Sequence, residues 1–156
     1  MMMKRLVILL LPLILLGGCR EKEEIKKEEE EHISYKEPHY NEVEDLHIHW
    51  SDLLTKQDGT YYAYVYSVYC TQCSYLREKI VNFAKSNVVP FYFVDPNDDV
   101  AFTDDMTLVE NSLGASKLED VYVHMTPTLI GISDHVVSFY AKEYNEINSF
   151  LDSYGG

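Results

Sequence analysis

Cations are scarce in this chain of 156 residues: 13 lysines and arginines stand against 26 aspartates and glutamates, a formal net charge of −13. Nucleic acids and anionic lipid head groups are bound through clustered cations, so this balance argues against both as partners. Cysteine is also scarce, at three residues. Aromatic and apolar residues, at 13% and 46%, are nevertheless too frequent for a disordered chain, and the length fits one domain.

The N-terminus lacks an apolar run long enough to span a bilayer. Leu6–Leu16 follows the cations Lys4 and Arg5, but a transmembrane helix needs about 20 residues. A basic start, a short apolar run and small residues predict a cleaved export signal over residues 1–18. The ending Leu16-Gly17-Gly18-Cys19 resembles the lipobox of bacterial lipoproteins. That resemblance implies a lipid on Cys19 and an extracytoplasmic protein anchored to the bacterial cell membrane; an ordinary cleaved signal is the alternative.

A charged segment follows the lipobox-like ending. Arg20–Glu31 holds one apolar residue in twelve and cannot bury enough surface to fold. We therefore predict a flexible tether over residues 19–41, reaching about 25 Å from the anchor, and a folded domain over residues 42–156. With Cys19 lipidated, Cys70 and Cys73 are the remaining cysteines, in a compartment that permits disulfides.

The apolar patterns of the domain predict an α/β fold. Strands are predicted at Tyr61–Tyr69, Pro90–Val94, Thr128–Ser133 and Val136–Tyr140, and a strand or turn at Leu46–Trp50. Helices are predicted at Ser51–Lys56, Cys70–Lys85 and Glu143–Tyr154, with partial helix over Val100–Asp120 and a break at Gly114. This order indicates a central mixed sheet with helices on both faces. In the first long strand, Tyr62, Tyr64, Tyr66 and Val68 are expected to share one face.

The pair Cys70-Thr71-Gln72-Cys73 lies where a predicted buried strand leads into a helix. Two cysteines in the first helical turn can close a small disulfide ring. The free N–H groups and the positive end of the helix dipole stabilise a thiolate at the first position. Cys73, one turn further on, is expected to be more buried. The spacing therefore predicts that Cys70 attacks a partner and that Cys73 resolves the mixed disulfide.

A second motif, Met125-Thr126-Pro127-Thr128, leads into the predicted hairpin. With the strand order, the cysteine pair and the C-terminal helix, it resembles the thioredoxin superfamily over Leu46–Tyr154, and the N-terminus resembles bacterial thioredoxin-fold lipoproteins such as bacteriocin-transport accessory proteins. The resemblance implies a thioredoxin-like fold, a cis Pro127, and a Thr126 backbone that pairs with an extended substrate near Cys70. The expected substrate-binding residues are Tyr69, Thr71, Gln72, Thr126 and Pro127.

The sequence departs from the thioredoxin pattern near the cysteines. Tyr69 stands where thioredoxins usually carry Trp, and Thr71-Gln72 stands in place of Gly-Pro. Tyr64 occupies the position of their buried acid, and the accompanying Lys falls in the apolar run Phe91–Val94. The usual proton acceptor for Cys73 is therefore missing. These differences favour a specialised extracytoplasmic relative with an insertion around Val100–Leu118.

We therefore predict a membrane-anchored thiol-disulfide oxidoreductase acting on protein thiols and disulfides. It is expected to use the Cys70–Cys73 disulfide with no other cofactor, to work as a monomer with a membrane redox partner, and to bind neither metal nor nucleic acid. The direction of exchange stays open, because a single hydrogen bond can change the reduction potential by a functionally important amount.

Three other interpretations remain. The cysteines can form a purely structural staple, although staples more often close long loops. A metal-handling protein would add His124 to Cys70 and Cys73, as copper-delivering members of the superfamily add a later histidine, although their cysteines are spaced one residue wider. A binding or scaffolding lipoprotein would need no reactive thiol. His47 and His49, expected on one face of a strand, are assigned to the surface.

Overall fold

A computed structural model describes residues 39–94 and 97–154. The predicted signal over residues 1–18, the lipidation site Cys19, the tether up to residue 38 and the residues 95–96 lie outside this part. The described strands are β1 (His47–Ile48), β2 (Thr60–Val65), β3 (Phe91–Val94), β4 (Thr128–Ser133) and β5 (Val136–Lys142). The described α-helices are α1 (Thr71–Ser86), α2 (Met106–Asn111) and α3 (Glu143–Tyr154). No described helix is long and apolar enough to cross a bilayer.

The five strands form one mixed sheet in the order β1-β3-β2-β4-β5. Strands β1, β3 and β2 run parallel, whereas β4 is antiparallel to β2 and β5 is antiparallel to β4. Ala63 of the central strand is paired with Tyr92 on one side and with Ile130 on the other. The predicted fold class, a thioredoxin-like α/β fold around a mixed sheet, is confirmed.

Alternating residues of β2 divide the core into two layers. Tyr64 faces the layer filled by α1 and α3, while Ala63 and Val65 face the opposite layer. The opposite layer is covered by a 3-10 turn at Trp50–Asp52 and by the segment around Val121. Helical elements therefore cover both faces of the sheet, and burial on both faces explains the almost continuous apolar sequence of β2.

The helix predicted at Ser51–Lys56 is absent from this described segment, and a 3-10 turn of three residues, Trp50–Asp52, stands there instead. The side chains of Leu53 and Leu54 are both buried. Tyr61 Oη donates a hydrogen bond of 2.7 Å to the Leu53 carbonyl, a group that a helix would use for its own backbone. Tertiary packing therefore outweighs the local helical pattern.

Two element boundaries also differ from the prediction. The strand predicted over Tyr61–Tyr69 ends at Val65, and Val68 is exposed rather than in line with Tyr64. At the N-terminal side, Tyr40 is buried within a 3-10 segment, Tyr40–Leu46, although the tether was expected to extend to residue 41. Because the Tyr40 ring packs into the core, the folded domain includes residues at least two positions before residue 42, where it was predicted to begin.

Candidate active site

The cysteine pair opens helix α1. Cys70 is the N-cap residue in an extended conformation, and its Sγ accepts a hydrogen bond of 3.1 Å from the Cys73 backbone N–H. The two sulfurs are joined at disulfide distance, with Cα atoms 5.2 Å apart, a separation typical of disulfides. The Cys70 side chain therefore takes the role that serine or aspartate takes at other helix starts.

The two cysteines differ in access to solvent. Cys73 is 1% exposed within the layer beneath α1, whereas Cys70 is only partly buried. This difference in burial confirms the expectation drawn from their spacing. A partner can therefore reach the sulfur of Cys70 far more easily than that of Cys73.

Two backbone groups act in opposite directions on the charge of a reduced Cys70. The Cys73 N–H, at the positive end of α1, stabilises a thiolate. The Thr126 carbonyl oxygen lies 3.3 Å from Cys70 Sγ, and a carbonyl dipole accepts from a thiol but repels a thiolate. The reactivity of Cys70 is thus set by a balance between the start of α1 and the segment before β4.

The peptide bond between Thr126 and Pro127 is cis, as the resemblance implied. Pro127 is buried, and its carbonyl accepts from the backbone N–H of Glu143 at 3.2 Å. The Thr128 hydroxyl donates to the Met125 carbonyl at 2.7 Å. These bonds hold the Thr126 carbonyl beside Cys70 from both sides of the proline.

A cleft of about 600 Å³ opens above the cysteine pair. Of the predicted substrate-binding residues, Thr71, Gln72 and Thr126 line it together with Cys70. Pro127 is buried and does not line the cleft, and Tyr69, which precedes Cys70, is 94% exposed and does not line it either. The lining is completed by Val65, Tyr66, Ser67, Val100, Phe102, His124 and Met125.

Gln72 links the start of α1 to the start of α3. Its side-chain Oε1 accepts a hydrogen bond of 3.1 Å from the Tyr144 backbone N–H. This acceptor satisfies one of the free N–H groups of the first turn of α3. The exposed side chain of Gln72, one of the cleft-lining residues, is therefore oriented by this hydrogen bond.

Six lining residues were not identified from the sequence. Tyr66 and Ser67 follow the carboxyl end of β2. Ligands commonly bind at this edge of α/β sheets, so the position of both residues in the sequence indicates a place in the cleft. Val100 and Phe102 were treated as part of an insertion. The backbone bridge between Phe102 and Val123 brings this insertion to the cleft, and no local pattern predicts that pairing.

His124 lines the same cleft as Cys70, as the metal-handling interpretation required. Its Nδ1 donates to the Thr103 carbonyl at 3.1 Å, with an Asp104 carboxylate oxygen 3.9 Å away. Among the described residues, no group of three or more His, Cys, Asp or Glu side chains could hold a metal ion. His47 and His49 make separate contacts, with Tyr66 Oη and with the Asp98 carboxylate.

The side chain in place of the buried acid, Tyr64, is fully buried in the layer that holds Cys73. Its hydroxyl meets no described partner in hydrogen-bonding geometry. Burial first, and then the nearby hydroxyls of Tyr40 and Tyr66, raise the pKa of Tyr64 well above its usual value. At physiological pH, Tyr64 is a neutral phenol and cannot serve as a ready base.

No family model matches the chain, and no curated protein matches it. Similar solved structures include Chlamydomonas reinhardtii thioredoxin f2, 14% identical, with 69% of this chain and 91% of that chain covered at a TM-score of 0.46. Fasciola hepatica thioredoxin is 18% identical, and the match covers 66% of this chain and 88% of that chain at a TM-score of 0.42. Mitochondrial thioredoxin 3 from Saccharomyces cerevisiae is 13% identical, and the match covers 69% of this chain and 92% of that chain at a TM-score of 0.44.

Each of these TM-scores is below 0.5, so the fold is assigned from features of the chain itself. The strand order β1-β3-β2-β4-β5, the cysteine pair that opens α1 and the cis-proline before β4 are all present. The chain thus has a thioredoxin-like fold with a Cys-x-x-Cys pair, Cys70 and Cys73, at disulfide distance.

Proposed function

We propose that this protein is an extracytoplasmic, lipid-anchored thiol-disulfide oxidoreductase that exchanges disulfides with other proteins. One observation carries the proposal: the partly buried Cys70 sulfur accepts a backbone hydrogen bond at a helix start and opens onto a cleft of about 600 Å³. A structural staple needs neither an accessible sulfur nor a cleft. The resolving position, Cys73, is buried one turn away at bonding distance.

In the reducing direction, the Cys70 thiolate attacks one sulfur of a partner disulfide. The partner S–S bond breaks, a mixed disulfide forms, and the leaving partner thiolate takes up a proton. Cys73 then loses its proton and attacks the Cys70 sulfur, which releases the second partner thiol. Two electrons have passed to the partner, and the Cys70–Cys73 disulfide has formed; the reverse sequence oxidises a partner dithiol.

The N-terminal sequence supports the proposed cellular location. The export signal over residues 1–18 and the cysteine at position 19 support a lipid anchor outside the cytoplasm. The charged segment Arg20–Glu31 supports a tether that leaves the domain close to the membrane. Mass spectrometry of the mature protein should show an acylated N-terminal Cys19, and a free, unacylated N-terminus at another residue would overturn the anchor.

Trapping in a bacterial host tests the exchange. In the Cys73→Ser variant the mixed disulfide cannot be resolved, so partners should accumulate on Cys70 and migrate as adducts that a reductant removes. The matched control is the double variant Cys70→Ser/Cys73→Ser, in which the adducts should vanish. If Cys73→Ser yields no adduct although Cys70 reacts with a maleimide, disulfide exchange with proteins is excluded in that host.

A further inference from the structure

The cleft that holds Cys70 is bordered by an acidic segment. Asp98–Asp105 contains four aspartates and neither lysine nor arginine, and its Val100 and Phe102 line the cleft. Asp104 is fully exposed, and its carboxylate lies 3.9 Å from Nδ1 of the cleft residue His124. This carboxylate therefore stands at the rim, where it acts on a bound partner without being buried.

The start of α3, whose Tyr144 backbone N–H donates to the cleft residue Gln72, is also acidic on balance. Lys142 of β5 is paired with Thr128, just beyond the cis-proline. Glu143 follows it, and the Glu146 carboxylate accepts from the Lys142 backbone N–H at 2.8 Å. Among the described residues that line the cleft there is no lysine or arginine. The charges around Cys70 therefore favour the approach of cations, and so does the net charge of −13 on the whole chain.

An exposed aromatic side chain lies inside this acidic border. Phe102 lines the cleft, yet 54% of its side chain is exposed. Backbone hydrogen bonds on both sides, from Thr103 N–H to the Val123 carbonyl and from Val123 N–H to the Ala101 carbonyl, are each 2.9 Å and fix its position. An exposed ring on a fixed backbone, in the same cleft as a reactive sulfur, is a typical anchor for an apolar side chain of a partner.

We propose that the partner is a basic polypeptide whose cysteine is flanked, within a few residues, by lysine or arginine and by an apolar side chain that covers Phe102. This inference rests on the proposed function and adds its substrate class. Asp104 attracts the cation, Phe102 receives the apolar side chain, and Cys70 exchanges with the cysteine between them. An acidic segment would meet like charges at Asp104 and at the start of α3.

The test uses the reduced full-length protein in detergent and two peptides that differ only at the residues flanking one cysteine, lysine in one and glutamate in the other. Each cysteine carries a nitrothiobenzoate group, whose release reports attack by Cys70. We expect the lysine peptide to react about tenfold faster at low salt, and 0.5 M NaCl to reduce this ratio to about twofold.

Two matched variants separate the local effect from the net charge. Asp104→Asn should lower the lysine-to-glutamate ratio about threefold. Asp134→Asn removes the same charge at the β4–β5 hairpin, the far end of β4 from Thr126, and should leave the ratio unchanged. Phe102→Ser should slow a peptide with a neighbouring leucine about tenfold while sparing its glycine counterpart.

The possible outcomes separate a failure of this inference from a failure of the proposed disulfide exchange. Equal rates for the two charged peptides, or equal effects of Asp104→Asn and Asp134→Asn, would overturn the basic-partner assignment while disulfide exchange stands. If neither peptide nor an uncharged aromatic disulfide reacts with the reduced protein, both the exchange and the substrate class are overturned.

Discussion

The Tyr40 hydroxyl donates a hydrogen bond of 3.0 Å to the Cys73 carbonyl, joining the first folded turn of the domain to the first turn of α1. Both residues are buried. Burial raises the pKa of Tyr40 to about 12, so the hydroxyl keeps its proton at physiological pH. Because the tether was predicted to extend to residue 41, Tyr40 contacts the cysteine helix from within the last residues of that predicted tether.

Removing this hydroxyl should weaken the domain. Tyr40→Phe leaves the Cys73 carbonyl without the side-chain donor, and we expect the free energy of unfolding to fall by about 1 kcal/mol in urea titrations of the oxidised protein. Tyr69→Phe, which alters a tyrosine that is 94% exposed, is the control and should change nothing. A Tyr40→Phe variant as stable as the wild type would show that the hydrogen bond contributes no net stability.

The neighbouring Tyr64 should respond in the opposite sense. Its hydroxyl is buried and has no described partner in hydrogen-bonding geometry, and an unsatisfied buried hydroxyl costs free energy. We expect Tyr64→Phe to raise the free energy of unfolding by up to about 1 kcal/mol. A loss of stability would instead reveal that the Tyr64 hydroxyl bonds to the nearby Tyr40 hydroxyl. The rate of thiol exchange should not fall, since a neutral phenol with a raised pKa is not the base for Cys73.

Much of the fold can be predicted from the sequence because its signals are local. Three such signals depend on neighbours within a few residues: the almost continuous apolar run of β2, the helical spacing after Cys70, and the turn at Asp134 and His135, both with positive φ. The cis Pro127 followed from resemblance, since no spacing rule indicates it. Helix Glu143–Tyr154 was predicted with its observed bounds.

What escaped prediction depends on contacts between distant segments. Phe102 reaches the cleft only because its backbone is bridged to Val123. Tyr40 joins the core only because α1 and the sheet together offer it a buried site. The turn at Trp50–Asp52 replaces a helix because Tyr61 takes the Leu53 carbonyl. In each case, a contact that the local pattern does not specify decides the conformation, even where, as between Tyr61 and Leu53, the separation is only 8 residues.

Asp98 should make stability depend on pH in the acid range. It accepts from the Trp50 backbone N–H at 2.6 Å and contacts His49 Nδ1 at 3.1 Å. Partial burial acts to raise its pKa, but these hydrogen bonds outweigh burial and lower the pKa below the usual value of 3.8. A lowered folded-state pKa stabilises the fold above the unfolded value, and this contribution is lost as pH falls through the folded one.

Asp98→Ala should therefore lower the free energy of unfolding by about 1 to 2 kcal/mol at pH 7. The difference from the wild type should shrink as the pH is lowered from about 4, where the unfolded carboxylate begins to take up protons. Urea titrations at pH 7, 4 and 2.5 measure it, with the exposed Asp104→Ala as the control. A difference that grows toward low pH would contradict the assignment.

Substitution of Gly131 by alanine tests how closely β4 packs against its neighbouring strands. A Cβ built there would lie 2.7 Å from the Phe139 Cβ and 2.8 Å from the Tyr62 ring. Phe139 Cβ is attached directly to the paired strand β5, so it cannot move without shifting backbone. We expect Gly131→Ala to lower the free energy of unfolding by about 2 to 3 kcal/mol. Gly59→Ala cannot serve as the control, because φ at Gly59 is +79° and alanine would be strained there. Ser138→Ala, on the same hairpin, is the control and should lower the free energy of unfolding by less.

Reduction of the protein should reveal the different environments of the two sulfurs. Cys73 is 1% exposed, whereas Cys70 opens to the cleft and accepts the Cys73 N–H. Because alkylation needs an accessible thiolate, iodoacetamide should modify Cys70 at least about tenfold faster than Cys73. Peptide mapping after a short pulse measures the two rates, and the same pulse in 8 M urea should make them nearly equal. Equal rates in the folded protein, or faster modification of Cys73, would contradict the assignment of Cys70 as the attacking sulfur, because that assignment depends on the difference in burial between the two cysteines.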